Sequence, residues 1–578
     1  MIIQNSHSTT TTTTPSANAG GLARLGQSPA ALAGLGAALL WAGWPTHPAP
    51  LTLLLFVGFV PYLRLEQVLT EQNARRGRVF GFTYLFLVLW NAFTTWWVSY
   101  ASLPAGIAAV VLNAALMCLP LWAFRRTKAR LGPALGYLSL PVYWIAFEQV
   151  HLHWDLTWPW LTLGNGFASV PGWVQWYEYT GFLGGSVWVW AVNLLIFRCL
   201  GHWWKLPTTW HQDDPRRRSA SLAQMKAFRL SGRVGWAALA LLLPGVVSGL
   251  VGLSYQEKGP ALEVVVIQPN VDPYQEKFPE NPRFIPRDEQ LRRLLARTEA
   301  ALTPQTRLVL WPETTLEEPY FETAFEQSPA AQRIRRELLA RHPGLSLLTG
   351  VTTLRRYPDA AHATVTARYR DDMGYYDVYN TAAYFRDATT PVVFYHKSRL
   401  VPGVEKVPPV LSSVLKNIDL GGLVGSYGAQ DERTVFAAPA AAPALRLAPI
   451  ICYESVYGDF INEYPRNGAT LLGIITNDGW WSDSPGHEQH LAYGALRAIE
   501  TRRDIARSAN TGISGFIDQR GQITQRTGWW VGAAARATVH LNDEQTLYVR
   551  YGELIGRGAQ ALAGLLLLLA VVRPRRSR

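Results

Sequence analysis

A chain of 578 residues has room for two or three domains, and its average hydrophobic content of 48% conceals apolar ends around a polar middle. The formal net charge of +12 gathers in short loops beside apolar runs, which argues against a nucleic-acid partner. Only one of the three cysteines, Cys452, falls in the polar middle, so that region cannot be a disulfide-built domain.

In chain order, residues 1–28 carry a threonine run and few apolar side chains and read as disordered. They lack the basic start, short apolar core and small-residue cleavage site of a processed signal, so the run that follows is expected to be a retained anchor. Apolar runs recur at approximately 29–45, 48–63, 80–100, 104–124, 131–149, 180–200 and 234–254, with an eighth at 556–572. Most are long enough to cross a hydrocarbon core of about 30 Å. Any one of them also fits a buried core helix; their succession favours spans. The expected organisation is a seven-helix membrane domain over 29–254, a folded domain over 255–555, a last membrane helix at 556–572 and a basic tail at 573–578.

Lysine and arginine near span ends stay on the cytoplasmic side of a membrane. Arg64, Arg75, Arg76 and Arg78 follow the second run, and Arg125, Arg126, Lys128 and Arg130 follow the fourth. Lys205, Arg216, Arg217, Arg218, Lys226, Arg229 and Arg233 follow the sixth, whereas the connections near 46–50, 101–103 and 150–179 hold neither residue type. Both termini are therefore expected in the cytoplasm and the 255–555 domain outside it. Trp154, Trp158, Trp160, Trp173 and Trp176 in the basic-free connection suit an interfacial aromatic belt.

Between about 260 and 530, short β-rich runs alternate with helical patterns, which reads as α/β. Strands are expected at 262–267, 306–310, 346–352, 378–386, 391–396, 445–452, 470–476, 503–509 and 513–518, with helices near 287–301, 330–341 and 488–500. The near-continuous apolar run at 471–476 implies a sheet covered on both faces.

Three strand ends carry reactive side chains. Leu-Val-Leu-Trp-Pro-Glu (308–313) delivers Glu313 beside a tryptophan and a proline, where partial desolvation strengthens a carboxylate as a base. Phe-Tyr-His-Lys (394–397) leads into Lys397, whose ammonium suits an oxyanion and lowers a neighbouring thiol's pKa. Alone, the first reads as a solvated strand-end acid and the second as a surface lysine. Leu-Ala-Pro-Ile-Ile-Cys (447–452) closes on Cys452, with a helix expected from about 455 whose N-terminal dipole favours thiolate. A base, a cation and a nucleophile are the parts required for covalent acyl transfer.

Together these motifs resemble the carbon-nitrogen hydrolase, or nitrilase, superfamily, whose members carry a Glu-Lys-Cys triad on an α-β-β-α sandwich. Order and context agree: Trp-Pro-Glu first, then lysine followed by Leu-Val-Pro (400–402), then Cys-Tyr-Glu (452–454). With apolar runs on both sides, the chain resembles the membrane-embedded branch of that superfamily, the bacterial apolipoprotein N-acyltransferases. Pro-Trp-Leu-Thr-Leu-Gly (159–164), Gln268-Pro269-Asn270, Tyr379-Asn380-Thr381, Thr476 to Trp480, His490 to Glu500, Asn510-Thr511-Gly512 and Thr546 to Gly552 extend the likeness over nearly the whole chain.

The resemblance implies an α/β nitrilase-like sandwich inserted before the last of about eight membrane helices. It implies a multi-pass protein of the bacterial cytoplasmic membrane with its catalytic domain on the periplasmic side. Glu313 is then the base, Lys397 the oxyanion partner and Cys452 the nucleophile that holds a thioester. A phospholipid is the implied acyl donor, and the α-amine of an apolipoprotein's N-terminal S-diacylglyceryl-cysteine the acceptor. Glu405, Tyr453, Glu454 and Trp480 are expected to shape the pocket or order Lys397. Around Glu405 the chain departs from the pattern, with Val401-Pro402-Gly403-Val404-Glu405 where many members read Val-Pro-Phe-Gly-Glu. A monomer without cofactor is expected, and no metal, since His487 and His490 have no third ligand at metal-site spacing. Residues 410–428, with leucines and valines among glycine and serine, suit either an apolar lid or ordinary packing. A membrane-tethered amidase would share the triad but pass the acyl group to water, and a receptor with an exported sensing domain would leave the triad as coincidence.

Overall fold

Each of the eight apolar runs falls on helix in the computed structural model, which describes residues 28–201, 222–406, 427–437 and 439–572, the stretch 222–231 by its backbone alone. Residues 1–27, the basic stretch 202–221, most of the expected lid and the basic tail lie outside the described residues. Among the described residues, the long helices before the polar middle are α1 (Pro29–Ala42), α2 (Val60–Glu71, entered through a 3-10 turn at Ala49–Phe56), α3 (Arg76–Thr95), α4 (Leu103–Leu131), α5 (Pro133–His151), α6 (Leu183–Leu200) and α7 (Leu222–Ser254). Ser28 and Ser102 open α1 and α4, each accepting a backbone N–H three residues on, with a proline in the first turn. Among the described residues, five helical segments are long and apolar enough to cross a membrane: Ala49–Glu71, Leu103–Leu131, Leu183–Leu200, Gly232–Ser254 and Leu554–Val572. The remaining runs lie on helices that are shorter or less apolar.

The polar middle folds as two stacked sheets. The first contains β1 (Ala261–Gln268), β2 (Thr306–Leu310), β3 (Leu316–Phe321), β4 (Ser346–Tyr357), β5 (Arg368–Arg370), β6 (Gly374–Phe385), β7 (Val393–His396) and β13 (Ala533–His540). The second runs in the order β12 (Ile523–Thr524), β11 (Gly515–Ile517), β10 (Ile505–Ala509), β9 (Leu471–Thr476), β8 (Leu447–Ile451). Alternation along a strand sends successive side chains to opposite faces. Val264 and Val266 thus join Leu308, Leu310, Leu447 and Ile474 between the sheets. Val265 and Ile267 join Val309 and Trp311 under α8 (Arg287–Ala301), which presents Leu291, Leu294 and Leu295. Beyond the second sheet, α9 (Pro485–Thr501) completes the α-β-β-α order, and α10 (Leu554–Val572) leaves the domain. Gly473 permits the close stacking: a Cβ there meets side-chain carbons of Leu447 and Leu348 at 3.0 and 3.1 Å. Pro449 sits in β8, the edge of its sheet, where a missing N–H costs no ladder bond.

Gly350 in β4 has a tighter role. A Cβ at this position would stand 2.3 Å from the Thr314 backbone nitrogen and 2.6 Å from the Glu313 Cα. Gly350→Ala is therefore expected to push the end of β2 aside, lowering stability by about 1–3 kcal/mol and turnover with it. Thermal unfolding and an activity assay on the same preparation check this.

The connection 152–182 departs from the expected belt. Trp160 and Trp176 are buried, while Trp154, Trp158 and Trp173 are half-buried. Trp160 donates to Gln489 Oε1 at 2.7 Å, its carbonyl accepts from the Tyr493 hydroxyl at 2.9 Å, and its ring packs 4.8 Å from that of Trp97. The indoles join the helical region to the sandwich. Their amphipathic rings suit a joint between two protein surfaces as well as one between water and lipid.

Candidate active site

The three reactive strand ends converge. Glu313 follows the Trp-Pro turn after β2, Lys397 follows β7, and Cys452 follows β8; all three side chains are buried. Lys397 Nζ donates to Glu313 Oε1 at 3.1 Å and to Glu405 Oε1 at 2.9 Å. Asn380, from β6, donates its amide to the same two oxygens at 2.7 and 2.9 Å. The second Glu313 oxygen accepts the Asn477 backbone N–H at 3.0 Å. Burial alone would pull the Lys397 ammonium down, but the two carboxylates outweigh it and hold the group well above the ordinary lysine range.

The rearranged loop still delivers Glu405. Gly403 takes a φ of +78°, which a side chain would strain, and the turn closes with Glu405 N–H on the Val401 carbonyl at 2.9 Å. Glu405 Oε2 in return accepts the Val401 N–H at 2.9 Å, leaving Oε1 for Lys397.

Cys452 has a φ of +51°, the left-handed region, unusual for a residue with a Cβ. The helix expected from about 455 starts three residues later and is broken at Asn462. A 3-10 turn, Cys452–Val456, begins at the cysteine itself and is followed by two short α-helical pieces, Gly458–Ile461 and Glu463–Arg466. Glu454 explains the local path, accepting N–H groups from Ile451 at 2.8 Å and Ser398 at 2.7 Å and the Tyr395 hydroxyl at 2.7 Å. It thus ties the Cys452 loop to the Lys397 loop.

The expected thiolate is not the resting state. Burial first, then the Glu313 carboxylate, push the Cys452 thiol well above its usual range, and the opposing effects of Lys397 and the Thr476 hydroxyl are smaller. The neutral thiol therefore rests beside a base. Iodoacetamide labelling of Cys452 is expected to climb through pH 9 without levelling near the free-thiol value of about 8.5. Removing the Glu313 charge lowers the thiol pKa, so Glu313→Gln should level off at lower pH than the parent; mass spectrometry of the labelled peptide reads both.

Behind Cys452 lies a buried polar cluster. His490 Nδ1 is 2.9 Å from Asp478 Oδ1, and its Nε2 is 2.8 Å from Ser455 Oγ and 3.1 Å from the Cys452 carbonyl. Arg507 pairs with Asp478 Oδ2 at 2.5 Å. Burial holds His490 below the usual imidazole range, whereas Arg507 and His490 overcome burial to hold Asp478 well below the carboxylate range. The donor atoms of Cys452, Asp478 and His490 lie within 4.8 Å of one another, so His490 has the neighbours that its sequence context did not reveal. The fit to a metal is poor: Arg507 already supplies the positive charge, and both Asp478 oxygens and both His490 nitrogens have protein partners.

The remaining expected pocket residues take different places. Tyr453 stacks on Trp158 with ring centres 6.0 Å apart and donates its hydroxyl to the Thr157 carbonyl at 3.3 Å. Trp480 packs edge-on to Tyr274 at 5.4 Å. Asn380 was legible only as part of a motif; its bridging role depends on partners 67 and 25 residues away. Hydrogen bonds to charged groups contribute about 1.5–3 kcal/mol, so Asn380→Ala is expected to lower turnover on the order of 10- to 100-fold with a smaller change in KM. Steady-state kinetics check the split.

A buried carboxylate, ammonium and thiol at strand ends of an α-β-β-α sandwich define a carbon-nitrogen hydrolase domain, and residues 281–547 match the carbon-nitrogen hydrolase family. Residues 36–195 match the apolipoprotein N-acyltransferase N-terminal domain. The chain is 30% identical to the apolipoprotein N-acyltransferase of Chlorobaculum tepidum, across 96% of this chain and 99% of that one. It is 26% identical to that of Geobacter metallireducens (91% and 93%) and 30% identical to that of Azotobacter vinelandii (93% and 92%). Among solved structures, yeast Nit3 of the nitrilase superfamily aligns with 52% of this chain and 94% of its own at 16% identity and a TM-score of 0.32. The chain belongs to the apolipoprotein N-acyltransferase family.

Proposed function

We propose that this protein moves a phospholipid acyl chain, through a thioester on Cys452, to the α-amine of an apolipoprotein's N-terminal S-diacylglyceryl-cysteine. Its family makes it a bacterial membrane acyltransferase of lipoprotein N-acylation. The observation that carries the mechanism is the buried Lys397 ammonium shared by Glu313 and Glu405 beside a neutral thiol.

Glu313 takes the Cys452 proton as sulfur attacks the ester carbonyl, and Lys397 stabilises the tetrahedral oxyanion. Collapse expels the lysophospholipid alkoxide, which takes the proton from Glu313 and leaves the thioester. The acceptor amine then attacks; Glu313 takes its proton, the amide forms and thiolate leaves to be reprotonated. Glu405 and Asn380 hold Lys397 and Glu313 in register, and Glu454 fixes the Cys452 loop against the Lys397 loop. Tyr453, buried against Trp158, and Trp480, packed on Tyr274, shape the pocket.

The charge sorting of the loops supports eight spans, seven before the sandwich and one after it, with both termini in the cytoplasm and the sandwich on the periplasmic face of the inner membrane. The protein works as a monomer without metal or cofactor. Phospholipid labelled in the acyl chain, given to the reconstituted protein with a diacylated lipopeptide, is expected to pass its label into the lipopeptide. Label recovered only as free fatty acid would make the protein a lipid hydrolase instead.

A further inference from the structure

The acyl-transfer reading leaves unused the basic groups at the far ends of α3 and α4. Gly403, in the Glu405 loop, packs against Ala105 at the start of α4. Arg126 lies further along the same helix by about 30 Å at a rise of 1.5 Å per residue, one hydrocarbon thickness from the sandwich.

There α3 and α4, with Tyr62 of α2, border a cavity of about 830 Å³, lined by Val79, Phe80, Cys118, Leu119 and Trp122 and rimmed by Arg76, Arg125, Arg126 and Arg130. Glu66 is clamped by Arg125 and Lys128 and so is already neutralised. Among the described residues, neither Arg76 nor Arg126 forms an ion pair; Arg126 lies over the Trp122 ring at 5.8 Å. Phe80, Leu119 and Trp122 are more than half exposed on the outer wall, where only apolar solvent is compatible with them. The site thus has an apolar wall for acyl chains, and directly beside it unneutralised guanidinium groups of the kind that take a phosphate in bidentate fashion.

We infer that this cavity binds an anionic phospholipid of the leaflet opposite the sandwich, its phosphate at Arg76 and Arg126 and its chains along Phe80, Leu119 and Trp122. The lipid is a resident at the joint of α3 and α4, distinct from the acyl donor. The inference rests on the membrane placement of these helices but not on the thioester chemistry.

Native mass spectrometry of the full chain tests it, in a Cys452→Ala background so that acyl transfer cannot contribute. The detergent-solubilised protein is offered phosphatidylglycerol, phosphatidylcholine or inorganic phosphate. Phosphatidylglycerol is expected to be retained over phosphatidylcholine, and Arg76→Gln and Arg126→Gln each to lower that retention about 5-fold, the value of roughly one basic residue near an anionic headgroup. Phosphate should not displace the lipid, and with Cys452 restored both substitutions should leave N-acyl transfer unchanged. Equal retention of the two lipids, retention of phosphatidylglycerol untouched by the double substitution, or displacement by phosphate alone would each overturn the assignment.

Discussion

Cys452→Ala is expected to form no acyl-enzyme and to lose activity by on the order of 10⁴-fold or more, as when the nucleophile of a covalent mechanism is removed. The loss should not reflect unfolding. Both residues carry a Cβ, so the left-handed backbone at this position, φ +51°, is no worse served by alanine than by cysteine. The loop is held by Glu454 rather than by the thiol. Cys452→Ser keeps the shape but offers a hydroxyl of much higher pKa, and should fall close to the alanine variant. Single-turnover measurement of label on protein, with thermal unfolding as control, separates chemistry from stability; alanine protein that retains transfer would remove Cys452 from the mechanism.

Glu313→Gln should produce the second largest effect, a fall of about 10²–10⁴-fold, the range of general-base catalysis. The substitution keeps a carbonyl oxygen for the Asn380 amide, but its NH2 faces the Asn477 N–H that the second carboxylate oxygen accepted, so one hydrogen bond to a charged group, worth about 1.5–3 kcal/mol, is lost. It leaves Lys397 paired with Glu405, so no buried cation is stranded and the fold should survive. Because the same carboxylate serves both half-reactions, acylation by phospholipid and discharge to the amine should slow together. Pre-steady-state kinetics distinguish this from a purely positional role, in which only one half-reaction would suffer.

What the sequence made legible was whatever local chemistry determines. Cys452 stood out as the single thiol of the polar middle, and the apolar strands before Glu313, Lys397 and Cys452 end within a few residues of those side chains. The helical runs were readable from continuous apolarity. Properties created by convergence were not. The sign of the thiol shift depends on burial and on Glu313, 139 positions earlier in the chain, neither of which is local to the Ile-Ile-Cys strand. The late start of the helix after Cys452 follows from Glu454 turning back onto Ile451 and Ser398. The cluster of Asp478, His490 and Arg507 joins β9, α9 and β10 with no sequence spacing to announce it. β13 escaped because Ala-Ala-Ala-Arg-Ala-Thr reads as helix by propensity, and only its eight-residue antiparallel register with β1 makes it a strand. The tryptophans of 152–182 read in sequence as an interfacial belt, whereas the indole N–H of Trp160 meets Gln489 of the sandwich.

The central claim is that Cys452 carries the acyl group between two lipid-borne substrates. The direct measurement is the intact mass of the purified protein after incubation with a phospholipid of defined acyl chain. The expected result is a gain of one acyl group at Cys452, labile to hydroxylamine and discharged when a diacylated lipopeptide is added, which gains the same mass. No adduct, an adduct on another residue, or an adduct that the lipopeptide amine does not discharge would contradict it.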